Sequence, residues 1–214
     1  MNESPQVIFL DAVGTLFGVR GSVGEVYAEL ARSFGVEVDA KPLNRAFYES
    51  FKAAPPPIFP DVAPAELPVK EFEWWRDIAI NTFRQMGVLD RFADFDEFFD
   101  RLYAHFATAD PWFVYPDVYP ALDRWREMGI ALGIVSNFDS RLYTVLNVLD
   151  IGDFFSSVTI STEVGAAKPE RQIFTKALDK HGCPAGAAWH IGDSYSADYE
   201  GANASGIKGI WLKR

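Results

Sequence analysis

The sequence predicts an α/β fold: a Rossmann-like, doubly wound parallel sheet core with an inserted all-helical domain. Three observations predict it. Short apolar runs recur without the polar alternation of a half-exposed strand, as expected of strands buried on both faces. In the C-terminal half these runs alternate with segments of helical period, the pattern of βαβ units with right-handed crossovers. Residues 18–111, in contrast, carry helical periodicity and no convincing strand.

The first run is Val7-Ile8-Phe9-Leu10. Within 18–111, Val23, Val26, Tyr27, Leu30 and Phe34 fall on one helical face. So do Phe72, Trp75, Ala79, Phe83 and Met86, and then Phe92, Phe95, Phe99, Leu102 and Phe106. Pro55-Pro56-Pro57, followed by Pro60, Pro64 and Pro68, divides this helical set in two with a stiff connector. Beyond it, helices are expected over Val118–Met128, Leu142–Leu149, Glu170–His181 and Ala197–Ser205. Strands are expected at Ile130–Val135, Ser157–Ile160, Ala188–Ile191 and Gly209–Leu212. The expected domains are therefore a core of residues 1–17 and 112–214 and a helical insertion of residues 18–111.

Composition bounds the function. A chain of 214 residues with 49% apolar and 23% charged side chains is globular, which excludes a disordered or fibrous class. A net charge of −10 argues against nucleic acid or an anionic membrane as partner, since both would be repelled at long range. Any anionic substrate must then be attracted locally, by a metal, a lysine or helix amides. One cysteine, Cys183, excludes an internal disulfide and a Cys-rich zinc site and reads as a free thiol. No apolar stretch approaches the ~20 residues of a membrane-spanning helix. Met1–Gln6 has neither the basic nor the long apolar segment of a signal peptide. The expectation is a soluble, cytoplasmic protein.

The residue that follows each apolar run is more informative than the run itself. The first run delivers Asp11, and Ala131–Val135 delivers Ser136. The run ending at Ile160 leads through Ser161-Thr162-Glu163 to Lys168, and Ala188–Gly192 delivers Asp193, with Asp198 shortly after. In an open α/β sheet the carboxyl ends of the strands share one crevice, and ligands bind there. The converging set is a carboxylate nucleophile, a hydroxyl donor, a fixed cation and carboxylates suited to a hard divalent ion. Mg²⁺ takes oxygen ligands, typically one or two carboxylates with waters and a substrate phosphate. These are the parts of phosphoryl transfer through an aspartyl-phosphate.

In this order the motifs resemble those of the haloacid dehalogenase-like hydrolase superfamily with a helical cap. The four are Asp11-Ala12-Val13-Gly14-Thr15-Leu16, Val135-Ser136-Asn137, Lys168-Pro169 and Gly192-Asp193-Ser194-Tyr195-Ser196-Ala197-Asp198. Phe72-Glu73-Trp74-Trp75-Arg76-Asp77 and Ser136-Asn137-Phe138-Asp139 narrow the resemblance to one branch. The resemblance implies that Asp11 attacks phosphorus and, with the Val13 carbonyl and Asp193, ligates Mg²⁺. Asp198 would orient metal-bound waters or ligate directly. Ser136, Asn137 and Lys168 would hold the phosphoryl oxygens beside the tight turn of Gly14 and Thr15. The implied partner is a small phosphorylated substrate; a monomer or weak homodimer is the expectation for its assembly.

One departure bears on the chemistry. Phosphatases of this superfamily carry a second aspartate two residues after the nucleophile, and here that residue is Val13. The absent carboxyl is a general acid–base, a role worth ~10²–10⁴-fold in rate, or roughly 3–5 kcal/mol. Substrates with good leaving groups, such as acyl phosphates, would suffer least. The first motif also resembles that of hydrolytic dehalogenases, which lack the metal-binding aspartate present here as Asp193. A non-catalytic phosphoryl-ligand or protein-binding homologue is the third reading. Of the remaining candidates, His190 reads as a core histidine, Trp74 and Trp75 as core of the helical insertion, and Asp139 as a helix N-cap. His105 and His181 have no functional context.

Overall fold

Residues 4–214 are described by the structure, a computed structural model. In chain order the elements are β1 (Val7–Leu10), β2 (Phe17–Val19), α1 (Val23–Ser33), α2 (Ala40–Ala53), α3 (Leu67–Gln85), α4 (Phe95–His105) and β3 (Trp112–Val114). They continue with α5 (Val118–Glu127), β4 (Ala131–Ser136), α6 (Arg141–Val148), β5 (Ser157–Ile160), α7 (Ser161–Val164), α8 (Arg171–His181), β6 (Ala188–Gly192), α9 (Gly201–Ala204) and β7 (Lys208–Trp211).

All four residues of β1 are buried, because the strand lies at the centre of a parallel sheet ordered β5-β4-β1-β6-β7. Val7, Phe9 and Val135 pack with Ile173, Phe174 and Ala177 of α8 and Ala202 of α9 in one apolar cluster. The order also locates the crevice. From β1 the chain passes to β4 and β5 on one side, then returns to β6 and runs outward to β7 on the other. The direction of winding reverses between β1 and β6, and ligands bind at such switch points. Leu10 pairs with Ile191, so the residues leaving these two strands emerge side by side.

The chain divides into two compact units, Met1–Gly18 with Pro57–Leu67 and Phe113–Arg214, and Val19–Pro56 with Pro68–Trp112. The second unit has its own core, in which Tyr27, Leu43, Phe47, Ile78, Phe83, Phe98, Phe99 and Leu102 are buried together. Phe83 meets Phe92 and Phe98 edge to face at 5.1 and 5.2 Å. Trp74 and Trp75 are half-buried against this core, and the Trp74 indole Nε1 donates to the Pro55 carbonyl at 2.8 Å.

Several local expectations need correction. The proline-rich stretch 57–67 belongs with the α/β unit. Pro68 does not break a helix. It is the second residue of α3, in the first turn, where its missing N–H has no partner to lose. Two short strands that the sequence does not announce, β2 and β3, pair with each other; three residues are too few to show a period of two. Helix α2 was also unmarked, because Lys41, Asn44, Arg45, Glu49 and Lys52 dilute its buried face of Leu43, Ala46, Phe47 and Ser50. The helix expected over 197–205 is a π-helical segment, Tyr195–Glu200, followed by α9.

Candidate active site

Asp11 is the first residue beyond β1, and its N–H donates to the Ile191 carbonyl at 2.9 Å, extending the ladder by one step. The chain then turns sharply: the N–H of Gly14 donates to the Phe17 carbonyl and that of Leu16 to the Ala12 carbonyl, both at 2.8 Å. Gly14 takes φ of +88°, and a Cβ there would lie 2.5 Å from Oδ2 of Asp193. Only glycine lets this backbone close on that carboxylate. Val13, half-buried, forms an isolated bridge with Phe17.

The other strands deliver their polar ends to the same place. Ser136 Oγ donates to Asp11 Oδ1 at 3.2 Å. Lys168 Nζ donates to Asp11 Oδ1 and to Asp198 Oδ1, each at 2.6 Å. Asp198 Oδ2 accepts from the Ser194 N–H at 2.9 Å, and its Oδ1 also lies 2.8 Å from Nε2 of His190. Asp11, Asp193 and Asp198 each place a carboxylate oxygen within 4.8 Å of the others.

Electrostatics follow from this crowding. Burial alone would push the Lys168 ammonium toward its neutral form, but Asp11 and Asp198 outweigh it and hold its pKa above the usual lysine range. Burial likewise opposes the charged form of Asp198, yet Lys168 and His190 pull its pKa well below the carboxylate norm. Lys168 acts on Asp193 too weakly to prevail. Loss of solvent and the charges of Asp11 and Asp198 push it up to about 6. Burial lowers the pKa of His190, so its ring is neutral at pH 7. Three carboxyl groups beside one ammonium make the cluster an acidic one. An all-oxygen donor set of this size fits a hard cation.

Asp11, Ser136, Lys168, Asp193 and Asp198 thus converge. Asn137 does something other than reach into the crevice with its amide: its Nδ2 donates to the Lys168 carbonyl at 2.9 Å, and its Oδ1 accepts from the Lys168 N–H at 2.7 Å. This amide clamps the lysine's backbone. Thr15 is buried, and its Oγ1 has no hydrogen-bond partner among the described residues. Its carbonyl accepts from the Arg214 guanidinium at 2.6 Å, which also pairs with Asp117 at 2.7 Å and stacks on Tyr115. Arg214 and His190 were missed as contributors. A polar side chain at a buried position of a strand, as at His190, was the available signal.

A family model described as haloacid dehalogenase-like hydrolase matches residues 5–206. The chain belongs to that family. Among its relatives, haloacid dehalogenase-like hydrolase domain-containing protein 3 of Mus musculus is 36% identical over 92% of this chain and 77% of its own length. The Danio rerio protein of the same description is 33% identical over 97% and 84%. Among solved structures, a HAD phosphatase from Thermococcus onnurineus matches with a TM-score of 0.63 and 25% identity, covering 98% of this chain and 86% of that one. A defluorinating L-2-haloacid dehalogenase shares the fold, with a TM-score of 0.76 at 18% identity, over 95% of this chain and 79% of its own.

In this haloacid dehalogenase-like hydrolase, Asp139 is not the N-cap of α6, which is Ser140, but stands one residue before it. It is buried, its Oδ1 accepts from the Arg141 N–H and Nε, each at 2.9 Å, and its Oδ2 accepts from the same guanidinium at 2.7 Å. No helix among the described residues is long and apolar enough to cross a membrane.

Proposed function

We propose that this hydrolase is a Mg²⁺-dependent phosphohydrolase acting on a small phosphorylated metabolite through an aspartyl-phosphate on Asp11. The observation that carries the reading is the cluster of Asp11, Asp193 and Asp198 within one ion's reach, bridged by Lys168. Asp11, Asp193 and the Val13 carbonyl would hold the ion, with Asp198 ligating directly or through water. Bound there, magnesium supplies Lewis-acid neutralisation of the phosphoryl oxygens.

The chain's own groups divide the remaining work. Asp11 Oδ forms the new P–O bond while the bond to the leaving oxygen breaks, and that oxygen departs with the electron pair. Lys168 and Ser136, already aimed at Asp11, are placed to donate to the equatorial oxygens as charge builds there. Water then attacks phosphorus, the P–O bond to Asp11 breaks, and inorganic phosphate leaves as the water's proton passes to solvent, which frees Asp11. With valine at position 13, no side chain there protonates the leaving group, so acyl phosphates and other good leaving groups are the preferred class and alkyl esters turn over slowly. A partial relative, a glyceraldehyde 3-phosphate phosphatase of Methanopyrus kandleri, matches 47% of this chain at 39% identity and supports phosphate chemistry. The proposed working unit is a cytoplasmic monomer or weak homodimer that needs neither nucleic acid nor membrane.

A panel of phosphate esters and acyl phosphates, assayed with and without Mg²⁺, tests the proposal. Metal-dependent phosphate release that disappears in Asp11→Asn is expected. Val13 keeps a second reading in view, hydrolytic dehalogenation. Halide release from 2-haloacids without metal, and no phosphate release from any substrate, would replace the first reading with the second.

A further inference from the structure

His190 is a buried polar side chain that the chemistry above leaves unused. It sits in the middle of β6 with no solvent exposure, and its ring stands edge-on to Phe174 at 5.3 Å. Its Nδ1 has no hydrogen-bond partner among the described residues. A phenylalanine would fill this space without burying an unsatisfied nitrogen, which is unfavourable. The compensating contact is with Asp198: Nε2 lies 2.8 Å from Oδ1. That carboxylate already accepts from Lys168 and from the Ser194 N–H, so it accepts here too, and Nε2 carries the proton.

The oxygen that His190 touches is also the one that holds Lys168. The Lys168 ammonium is shared equally, 2.6 Å from Asp198 Oδ1 and 2.6 Å from Asp11 Oδ1. Drawn wholly onto Asp11, the ammonium would occupy the attacking lone pair. Drawn wholly onto Asp198, it would leave the transferring group without a cation. We infer that His190 is a positioning residue for the phosphoryl-transfer centre: its Nε2–H fixes the plane of the Asp198 carboxylate, which holds the Lys168 ammonium midway between Asp198 and the nucleophile Asp11. Three donors, one on Oδ2 and two on Oδ1, leave that carboxylate no free rotation. The inference rests on the phosphohydrolase reading for its functional consequence, though not for its geometry.

Two substitutions separate positioning from packing. His190→Phe keeps the ring against Phe174 and removes the donor. His190→Gln gives up the ring and places an amide N–H the same number of bonds from the main chain as Nε2. Three quantities are read for each: the melting temperature, Mg²⁺-dependent beryllofluoride binding by calorimetry, and the Lys168 ammonium signal in ¹⁵N NMR of the metal-free protein. His190→Phe should melt near the native temperature, bind beryllofluoride about 10–100-fold more weakly, and lose the Lys168 signal to exchange with water. His190→Gln should melt lower, yet keep the signal and bind within about threefold of the native protein. The proposal is overturned if binding and the lysine signal follow melting temperature, if neither variant changes them, or if neither variant folds. Should the native protein itself bind no beryllofluoride, the phosphohydrolase reading fails, and the lysine signal alone still decides the role of His190.

Discussion

Three carboxylates that can touch one ion repel one another, and Lys168 offsets a single negative charge. The imbalance falls on Asp193, whose pKa of about 6 lies above the 3.8 of a free aspartate. In the metal-free protein the folded state holds this proton more tightly than the unfolded chain. The contribution of Asp193 to stability therefore falls as pH rises from about 4 to about 6, the window between the two values. A cation reverses the preference, because it must displace the proton. Mg²⁺ affinity should be level above pH 7 and fall as pH drops below 6. Calorimetry at pH 5 in two buffers of different ionisation enthalpy should show proton release on binding; its absence would deny Asp193 a role as ligand. Val13 raises the complementary question. Val13→Asp should increase turnover of an alkyl phosphate ~10²-fold if the rest of the site is in place. No increase in a well-folded variant would mean that this position does not face a leaving group.

The elements differ in how plainly the sequence announces them, for physical reasons. Strands β1 and β4 are covered on both faces and read as continuous apolar runs, and the polar residue ending each run marks the crevice. That is why Asp11, Ser136, Lys168, Asp193 and Asp198 were legible. The work of His190, Asn137 and Arg214 was not, because it depends on which partner a side chain meets across the fold. His190 meets a residue eight positions away, Asn137 one 31 away and Arg214 one 199 away. Helix α2 was hidden by its charged outer face, whereas the aromatic stripe of α3 was plain. Phe83 of that stripe is fully buried amid Tyr27, Phe92 and Phe98. Phe83→Ala leaves a cavity with rigid aromatic walls and should destabilise the protein by about 3–5 kcal/mol. Urea unfolding followed by tryptophan fluorescence measures this; a loss below 1 kcal/mol would mean that the neighbouring rings close the gap.

At the scale of the whole molecule, a net charge of −10 and a cluster of three acids favour a small cation over any polyanion. Every side chain of the cluster belongs to the α/β unit, and the helical unit has an apolar core of its own. An ion that binds only folded protein stabilises what it binds by RT ln(1 + [L]/Kd), about 2.7 kcal/mol at a hundredfold excess over Kd. For a chain of this size each kcal/mol moves the melting temperature by roughly 2–4 °C. Scanning calorimetry should accordingly show a Mg²⁺-dependent rise of several degrees. If the two units melt separately, the rise should be confined to one transition, and that transition is the α/β unit. If they melt together, the single peak should move by less, because the same binding energy is spread over a larger unfolding entropy. Asp193→Asn should abolish the rise while leaving the metal-free melting temperature near or above the native one, since the substitution removes the carboxylate whose ionisation the fold opposes. A rise that survives Asp193→Asn would place the bound ion elsewhere on this acidic molecule and detach the cluster from metal binding.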